Sequence, residues 1–380
     1  MLLHISDTHL GRSQYGLQER RKDLLEAFQR LIEAAISEHV DLVLHSGDLF
    51  DRPNPDVIDL AEVSAVLDKL REKGIPAIAI PGNHDLPSKR GHIYPQRFLE
   101  QIGKLRVLDW NSSEPPYKIT KGGIDYVFYG IRYIPVPDFL RSLLQAVKPT
   151  AKSVLVLHQG YKETLPYTGS YQLSLSDLPK GFSYYASGHV HERVLQRRED
   201  GSVFAIAGSP EVMDVKEIED YKRNGKGGFL VDLSSPEPLV QKFNVEVRPQ
   251  EVITVDTKDL EAKVVELRRK LAPYPSKCIL HFTLTGEPMD KRKVHEILSS
   301  LGDKVLSYRV DYQTSFVRGV RGGEIGGGTV TDLIKSYLRA QGYSEKETSE
   351  ILEIIDSAED EEMASSLIKR FAGVDLDSTK

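Results

Sequence analysis

LLHISDTHLG, residues 2–11, opens on an apolar run and passes directly to Asp7 and His9. A short strand that is apolar at nearly every position is buried on both faces, so 2–6 reads as a central strand of a covered sheet. An acid and an imidazole immediately behind it belong to the loop at its carboxyl end. The same order recurs downstream. Leu24, Leu25, Phe28, Leu31, Ile32, Ala35 and Ile36 repeat at helical spacing and predict a helix over 19–37. LVLHS at 42–46 is a second buried strand, followed by GDLFD. Residues 56–73 read as a helix ended by Gly74. IPAIAI at 75–80 is a third strand, stopped by Pro81-Gly82 and followed by NHD. Strand, helix, strand from the start predicts an α/β layer with a largely parallel sheet. Further strands over 125–131, 153–157, 183–187, 203–207 and 228–233 predict a second sheet.

The 380 residues exceed what one small core organises, and 40% hydrophobic with 28% charged residues is ordinary for a globular protein. No apolar run approaches the length of a membrane span, and the N-terminus has no charged segment leading into a long apolar one. The single cysteine, Cys278, excludes an internal disulfide, fits a reducing compartment and reads as a core residue. The net charge of -6 argues against a polyanion partner until it is localised. Residues 344–380 hold eleven acidic and four basic residues, which leaves 46 basic and 45 acidic residues elsewhere. The acidity belongs to the tail, and a basic groove in the body remains open.

From about 248 the pattern resets into VITVD, a helix over 258–271, CILHFTL, a helix over 290–301 and KVLSYRVDY. These make a small α+β unit. RGVRGGEIGGG, 318–328, reads as a linker, and it lacks the GK[ST] ending of a nucleotide-phosphate loop. Beyond it Ser344-x-x-Glu347 is a capping box, and two short amphipathic helices carry Ile351, Ile354, Ile355, Leu367, Ile368 and Phe371.

Five polar stretches stand at predicted strand ends: DTH at 7–9, GDLFD at 47–51, GNHD at 82–85, LHQG at 157–160 and GHVH at 188–191. Loops at the carboxyl ends of parallel strands line the ligand crevice of open α/β sheets. Asp7, His9, Asp48, Asn83, His84, His158, His189 and His191 should therefore converge, although they lie up to 184 positions apart. Carboxylate, amide and imidazole donors without thiolate suit manganese, iron or zinc. A pair of ions clamps both the attacking and the leaving oxygen of a phosphate displacement, with Asp48 the carboxylate able to bridge them. Glycines 47, 82 and 188 are expected to allow the sharp turns that bring these side chains inward. His4 and His45, inside strands, read as core or supporting residues.

Together D-x-H, G-D-x-x-D, G-N-H-D, H-x-G and G-H-x-H resemble the calcineurin-like metallophosphoesterases. HISDTHLG, HSGDLFDRPNP, PGNHDLP, LVLHQG and YYASGHVH are similar, more closely, to the archaeal double-strand-break repair nucleases of the Mre-eleven family and their bacterial SbcD relatives. The resemblance covers nearly the whole chain. It implies a two-sheet metallophosphoesterase sandwich flanked by helices over 1–247, and a small α+β, DNA-contacting cap domain over 248–317. A glycine-rich linker over 318–328 and an ATPase-binding helical segment over 329–380 complete it. It also implies two manganese ions per subunit. Asp7, His9 and His191 would hold one, and Asn83, His158 and His189 the other. Asp48 would be shared, and His84 would stand beside the scissile phosphate. Some relatives carry histidine at the position of Asp51; here that aspartate is expected to orient a ligand histidine.

The implied activities are 3′-to-5′ exonuclease on duplex DNA and endonuclease on single strands, in a cytoplasmic, nucleoid-associated protein. Arg12, Arg52, Lys89 and Arg90 flank the metal motifs and are the candidate phosphate contacts. Apolar residues on the helix over 56–73, with Tyr94, Phe98, Leu99 and Ile102, predict a homodimer contact. The tail's apolar residues are expected to dock on a Rad-fifty-type coiled-coil ATPase. Two other readings stay open: a phosphoesterase acting on phosphoproteins or cyclic nucleotides, and a scaffold that mainly regulates an ATPase.

Overall fold

The computed structural model describes residues 1–87, 93–110, 115–150, 152–165, 167, 169–272, 277–313, 335, 338–339 and 344–356. Met1–Ser315 forms one compact unit and Phe316–Lys380 a second.

Two six-stranded sheets make the body of the first unit. One is built on β1 (Leu2–Ile5), β2 (Leu42–His45), β3 (Ala77–Ala79) and β4 (Arg106–Val107), paired in parallel. The other holds β5 (Tyr117–Lys121), β6 (Ile124–Ile131), β7 (Ser153–His158), β8 (Tyr184–Gly188), β9 (Val194–Arg197) and β10 (Val203–Ile206). There β6, β7, β8 and β10 run parallel, and β5 and β9 close the two edges antiparallel. The chain then returns to the first sheet as β11 (Lys226–Asp232) and β12 (Leu239–Val245), both added antiparallel. The first sheet is therefore mixed, in the order β12-β11-β1-β2-β3-β4. None of the edge strands β5, β9 and β12 is apolar enough to stand out in the sequence.

Successive strand residues point to opposite faces, so each central strand feeds two cores. Leu2, Leu42, Leu44 and Ile78 face Phe128, Val154, Val156 and Tyr184 between the sheets. On the outer face, Leu3, Ile5 and Val43 meet Leu24, Phe28, Leu31 and Ile32 of α1 (Gln18–Ser37), and Val63, Val66 and Leu67 of α2 (Val57–Glu72). The second sheet packs Tyr129, Leu155 and Leu157 on Leu140 and Leu144 of a helix over Pro137–Ala146. Each such side chain contributes about 1.5–3 kcal/mol by leaving water.

A third sheet of parallel strands follows: β13 (Gln250–Asp256), β14 (Cys278–Thr285) and β15 (Val305–Tyr312). Helices Leu260–Leu271 and Lys291–Ser299 cover it, and Cys278 lies in its core. This cap is tied to the body by Arg248, whose Nε and Nη2 each donate to the Asp23 carboxylate at 2.6 Å. Gln250 Nε2 adds a bond to the Val212 carbonyl at 3.3 Å.

The predicted dimer surface is corrected in part. Tyr94 and Leu99 are buried and belong to the fold's own packing, whereas Val57, Ile58, Phe98 and Ile102 are exposed. In the tail, a helix runs over Glu345–Asp356. Its capping box is formed: Glu347 Oε2 accepts from Ser344 N at 2.7 Å, and Ser344 Oγ accepts from Glu347 N at 3.3 Å. Ile351 is half-buried on this helix. Lys89, Arg90, the glycine-rich stretch over 318–328, Leu367, Ile368 and Phe371 lie outside the described residues, as do the side chains of Ile354 and Ile355. Among the described residues no helix is long and apolar enough to cross a membrane.

Candidate metal centre

Parallel strands of both sheets deliver their carboxyl ends to one edge of the sandwich. Asp7 and His9 follow β1, Asp48 follows β2, and Asn83 and His84 follow β3. His158 ends β7, and His189 and His191 follow β8. Asp7, His9 and His191 offer ligand atoms within 4.8 Å of one another, as do Asp7, Asp48 and His158. Asn83 Oδ1 stands 2.9 Å from His189 Nδ1 and 3.2 Å from His158 Nε2. Asp48 Oδ2 joins the two sets, 3.7 Å from His9 Nε2 and 3.2 Å from His158 Nε2. All seven residues predicted as ligands thus meet. A third group, His9 with Asp51 and His84, shares His9 with the first.

The loops carry strain to do this. Asp7, His9, Asp48 and His189 have φ of 50°, 42°, 55° and 87°, a region that costs a side-chain-bearing residue about 1–3 kcal/mol. The glycines act differently from one another. Gly47 needs its φ of 99°, and a Cβ there would also meet His158 Nδ1 at 2.2 Å. Gly82 has no positive φ; a Cβ there would strike Asp48 Oδ1 at 2.1 Å, so its role is clearance rather than the turn expected from the sequence.

The donor atoms fit divalent ions. His9 Nε2 and His191 Nε2 face each other at 3.1 Å, and His9 Nδ1 is buried without a hydrogen-bond partner. Its neighbour Asp51 Oδ1 stands 3.4 Å away, longer than an ordinary hydrogen bond but suited to orienting the ring. His158 Nδ1 donates to the Ser46 carbonyl at 2.8 Å, which turns Nε2 toward Asp48. His191 Nδ1 faces Glu217 Oε1 at 2.9 Å, leaving Nε2 for the centre. A partner on one imidazole nitrogen that fixes the other is the usual outer support of a metal-binding histidine.

The carboxylates and imidazoles of the site shift one another strongly. Burial alone would raise the Asp48 carboxyl, yet His158, His9 and His84 hold it far below the usual carboxylate range. Burial opposes charge on His158, but Asp48 and Asp7 outweigh it and push the ring up to about 9. Burial and the neighbouring His158 drive His189 down to about 3, a neutral imidazole suited to coordination. Burial also lowers His4 and His45 to about 3, and His4 bonds Tyr184 Oη at 2.8 Å and Ser46 Oγ at 2.9 Å as a neutral core residue.

His84 is placed as expected beside the ligands. Its backbone N–H donates to Asp48 Oδ1 at 2.8 Å, and its Nδ1 donates to the Asp51 carbonyl at 2.9 Å, so Nε2 is the free nitrogen. Arg12 meets Asp51 Oδ1 at 3.4 Å, and Arg52 is exposed on the same loop.

Sequence reasoning missed several supports. Glu217 lies in a short 3-10 turn, Val215–Glu217, and also accepts from the buried Lys226 Nζ and from Met213 N. Burial would raise its carboxyl, but His191 and Lys226 hold it down at about 2. Asp85, the last residue of GNHD, accepts from the N–H groups of Leu49, Phe50 and Gly82 and so fastens two site loops together. Burial, then Asp48, pushes Asp85 up to about 7. Tyr133 lays its ring against His189, centroids 5.6 Å apart. Glu217 and Tyr133 stand in no local pattern that would have marked them; Asp85 stood inside a motif but had no assigned task.

Residues 1–193, which carry every candidate ligand, match the family model of calcineurin-like phosphoesterases. The likeness to individual proteins runs further along the chain. A protein of Saccharolobus solfataricus named DNA double-strand break repair protein Mre11 is 40% identical over 385 residues, 99% of each chain. One of the same name from Sulfurisphaera tokodaii is 38% identical, over 100% of this chain and 98% of its own. A third, from Sulfolobus acidocaldarius, is 40% identical over 98% and 99%. The match runs through nearly the whole chain, and the chain belongs to the Mre11 family of calcineurin-like metallophosphoesterases.

Proposed function

We propose that this protein is a manganese-dependent DNA nuclease of double-strand-break repair. It acts as a 3′-to-5′ exonuclease on duplex ends and as an endonuclease on single strands. The observation that carries the reading is the Asp48 carboxylate. One of its oxygens approaches His9 of one donor group and His158 of the other, which is how a shared ligand holds two ions. Asp7, His9 and His191 would hold one ion, and Asn83, His158 and His189 the second. Divalent ions held there would supply the Lewis acidity that activates the attacking water and offsets charge on the phosphate.

The chain's own residues do the rest. His84, fixed through Nδ1, presents Nε2 for proton exchange with a phosphate oxygen or the departing 3′ oxygen. Asp51 orients His9, and Glu217 orients His191. Arg12, Arg52, Lys89 and Arg90 hold backbone phosphates and so set register without reading sequence. Exposed Val57, Ile58, Phe98 and Ile102 form the contact of a homodimer. The tail, with Ile351, Ile354, Ile355, Leu367, Ile368 and Phe371, docks on a Rad-fifty-type coiled-coil ATPase. Its acidity favours a basic acceptor.

The names of the relatives support DNA as substrate, and an intact donor set argues against a scaffold without chemistry. The test is cleavage of circular single-stranded DNA and of end-labelled linear duplex, with manganese and after its removal. Manganese-dependent nicking of the circle and shortening from 3′ ends are expected. Activity on a phosphopeptide or cyclic nucleotide with none on either DNA would reject the reading.

A further inference from the structure

A cleft of about 530 Å³ runs beside the metal centre, lined by Arg12, Tyr15 and Asp51 of the body and by His281 and Arg309 of the cap, with Asp214 at its wall. Its near end belongs to the centre, because Asp51 is 3.4 Å from His9 Nδ1. Its far end is β15, where the guanidinium of Arg309 lies over the ring of Tyr15, 4.7 Å from the centroid. Arg309 is exposed, and among the described residues no carboxylate comes within ion-pair distance of it. Tyr15 is itself held in an uncommon state. Its φ is 61°, and its ring meets His281 edge-on at 5.8 Å. His281 is fixed in turn by Gln250, 3.0 Å from its Nε2. A strained body tyrosine is therefore gripped by two cap side chains, and what it presents is a flat, unneutralised guanidinium.

Both carboxylates in the cleft are already engaged. Asp51 has Arg12 and His9, and Asp214 accepts from Lys216 N at 2.9 Å. Arg12 holds Asp51 through Nη1 alone, at a long 3.4 Å, which leaves its other N–H groups for a ligand. A guanidinium stacked on an aromatic face keeps its N–H edge for a planar or tetrahedral oxyanion. Two cations, Arg12 of the body and Arg309 of the cap, line one cleft beside the centre, where neighbouring phosphates of a polyanion would pass.

We infer that Arg309, carried on Tyr15, together with Arg12 forms a second phosphate subsite, which takes the backbone of the DNA strand beyond the scissile bond. This rests on the nuclease reading above. The subsite makes the cap a ruler for strand length: a substrate must be long enough to reach β15 before it gains this contact.

The test compares two probes with manganese present: bis-p-nitrophenyl phosphate, a diester with no neighbouring phosphate, and a single-stranded oligonucleotide. In Arg309→Ala, the ratio of kcat/KM on the oligonucleotide to kcat/KM on the small diester should fall roughly tenfold, the size of one charge-assisted contact. The loss should lie in KM. The salt dependence of oligonucleotide binding should become shallower by about 0.7, one phosphate's worth on a single strand. Tyr15→Leu should lower the ratio in the same direction, and Arg309→Lys should recover the salt slope but not all of the affinity. An Arg309→Ala protein with the wild-type ratio and salt slope would overturn the subsite. If wild type hydrolysed the small diester and no DNA, the nuclease reading would fail instead, so the two failures are distinguishable.

Discussion

The two ends of the same sandwich differ in chemistry although the same strands build both. At one end, β1, β2, β3, β7 and β8 finish in aspartate, asparagine and histidine; Asp7, His9, Asp48 and His189 carry strained backbone, and Gly47 and Gly82 leave room for His158 and Asp48. At the other, Leu2, Leu42, Ile119, Ile124, Tyr126 and Phe128 line an apolar cavity of about 420 Å³, bordered by Asp41 and Lys121, which pair with each other. Parallel strands explain the contrast. All their carboxyl ends fall on one side, so donors can accumulate there, while the opposite end only has to close a core. Function and stability are therefore separable along the strand direction.

The strongest way to break that separation is Asp48→Ala. It removes the carboxylate both donor groups share, so manganese-dependent cleavage should drop to background and titration calorimetry should show lost binding. A variant that still turned over DNA at the wild-type rate would remove Asp48 from the centre. Next comes His84→Ala, expected to lower kcat by about 10²–10⁴ while metal content and DNA affinity persist. Metal lost together with activity would instead place His84 with His9 and Asp51 as a ligand group. Glu217→Gln keeps the volume beside His191 and removes the charge. Manganese affinity should weaken about tenfold, at the low end for an outer support of a histidine ligand. A wild-type isotherm would show that the metal end stops at its ligands. At the opposite end Leu42→Ala should cost about 2–5 kcal/mol in denaturant unfolding. Its kcat and manganese affinity should be those of wild type; a changed affinity would mean the two ends are coupled through β2.

The sequence made the metal end more legible than the rest. The central strands announce themselves because burial on both faces leaves few polar residues, and the donors follow them directly, as in LLHISDTH and LVLHSGD. Edge strands such as β9, VLQR, are half-wet and look like loop. The supports were hidden for another reason. Glu217 reaches His191 from 26 residues away through a 3-10 turn, and only tertiary packing tells it from any surface glutamate. Tyr94 and Leu99 looked like interface because apolar count alone cannot say which face of a short helix points inward.

Each donor group draws on both sheets: Asp7, His9, Asp48 and Asn83 follow strands of the first, His158, His189 and His191 belong to the second, and Glu217 and Lys226 come later still. Neither half of the polypeptide holds a complete group for two ions. A ribosome that has released only the first sheet's opening strands has produced a partial set of ligands and no cleavage centre. Because His189 and His191 stand on the loop after β8 and complete one set each, the order of synthesis itself leaves both sets open until that strand is made. A fragment that ends before His189, whether nascent or truncated, therefore lacks donors for both ions.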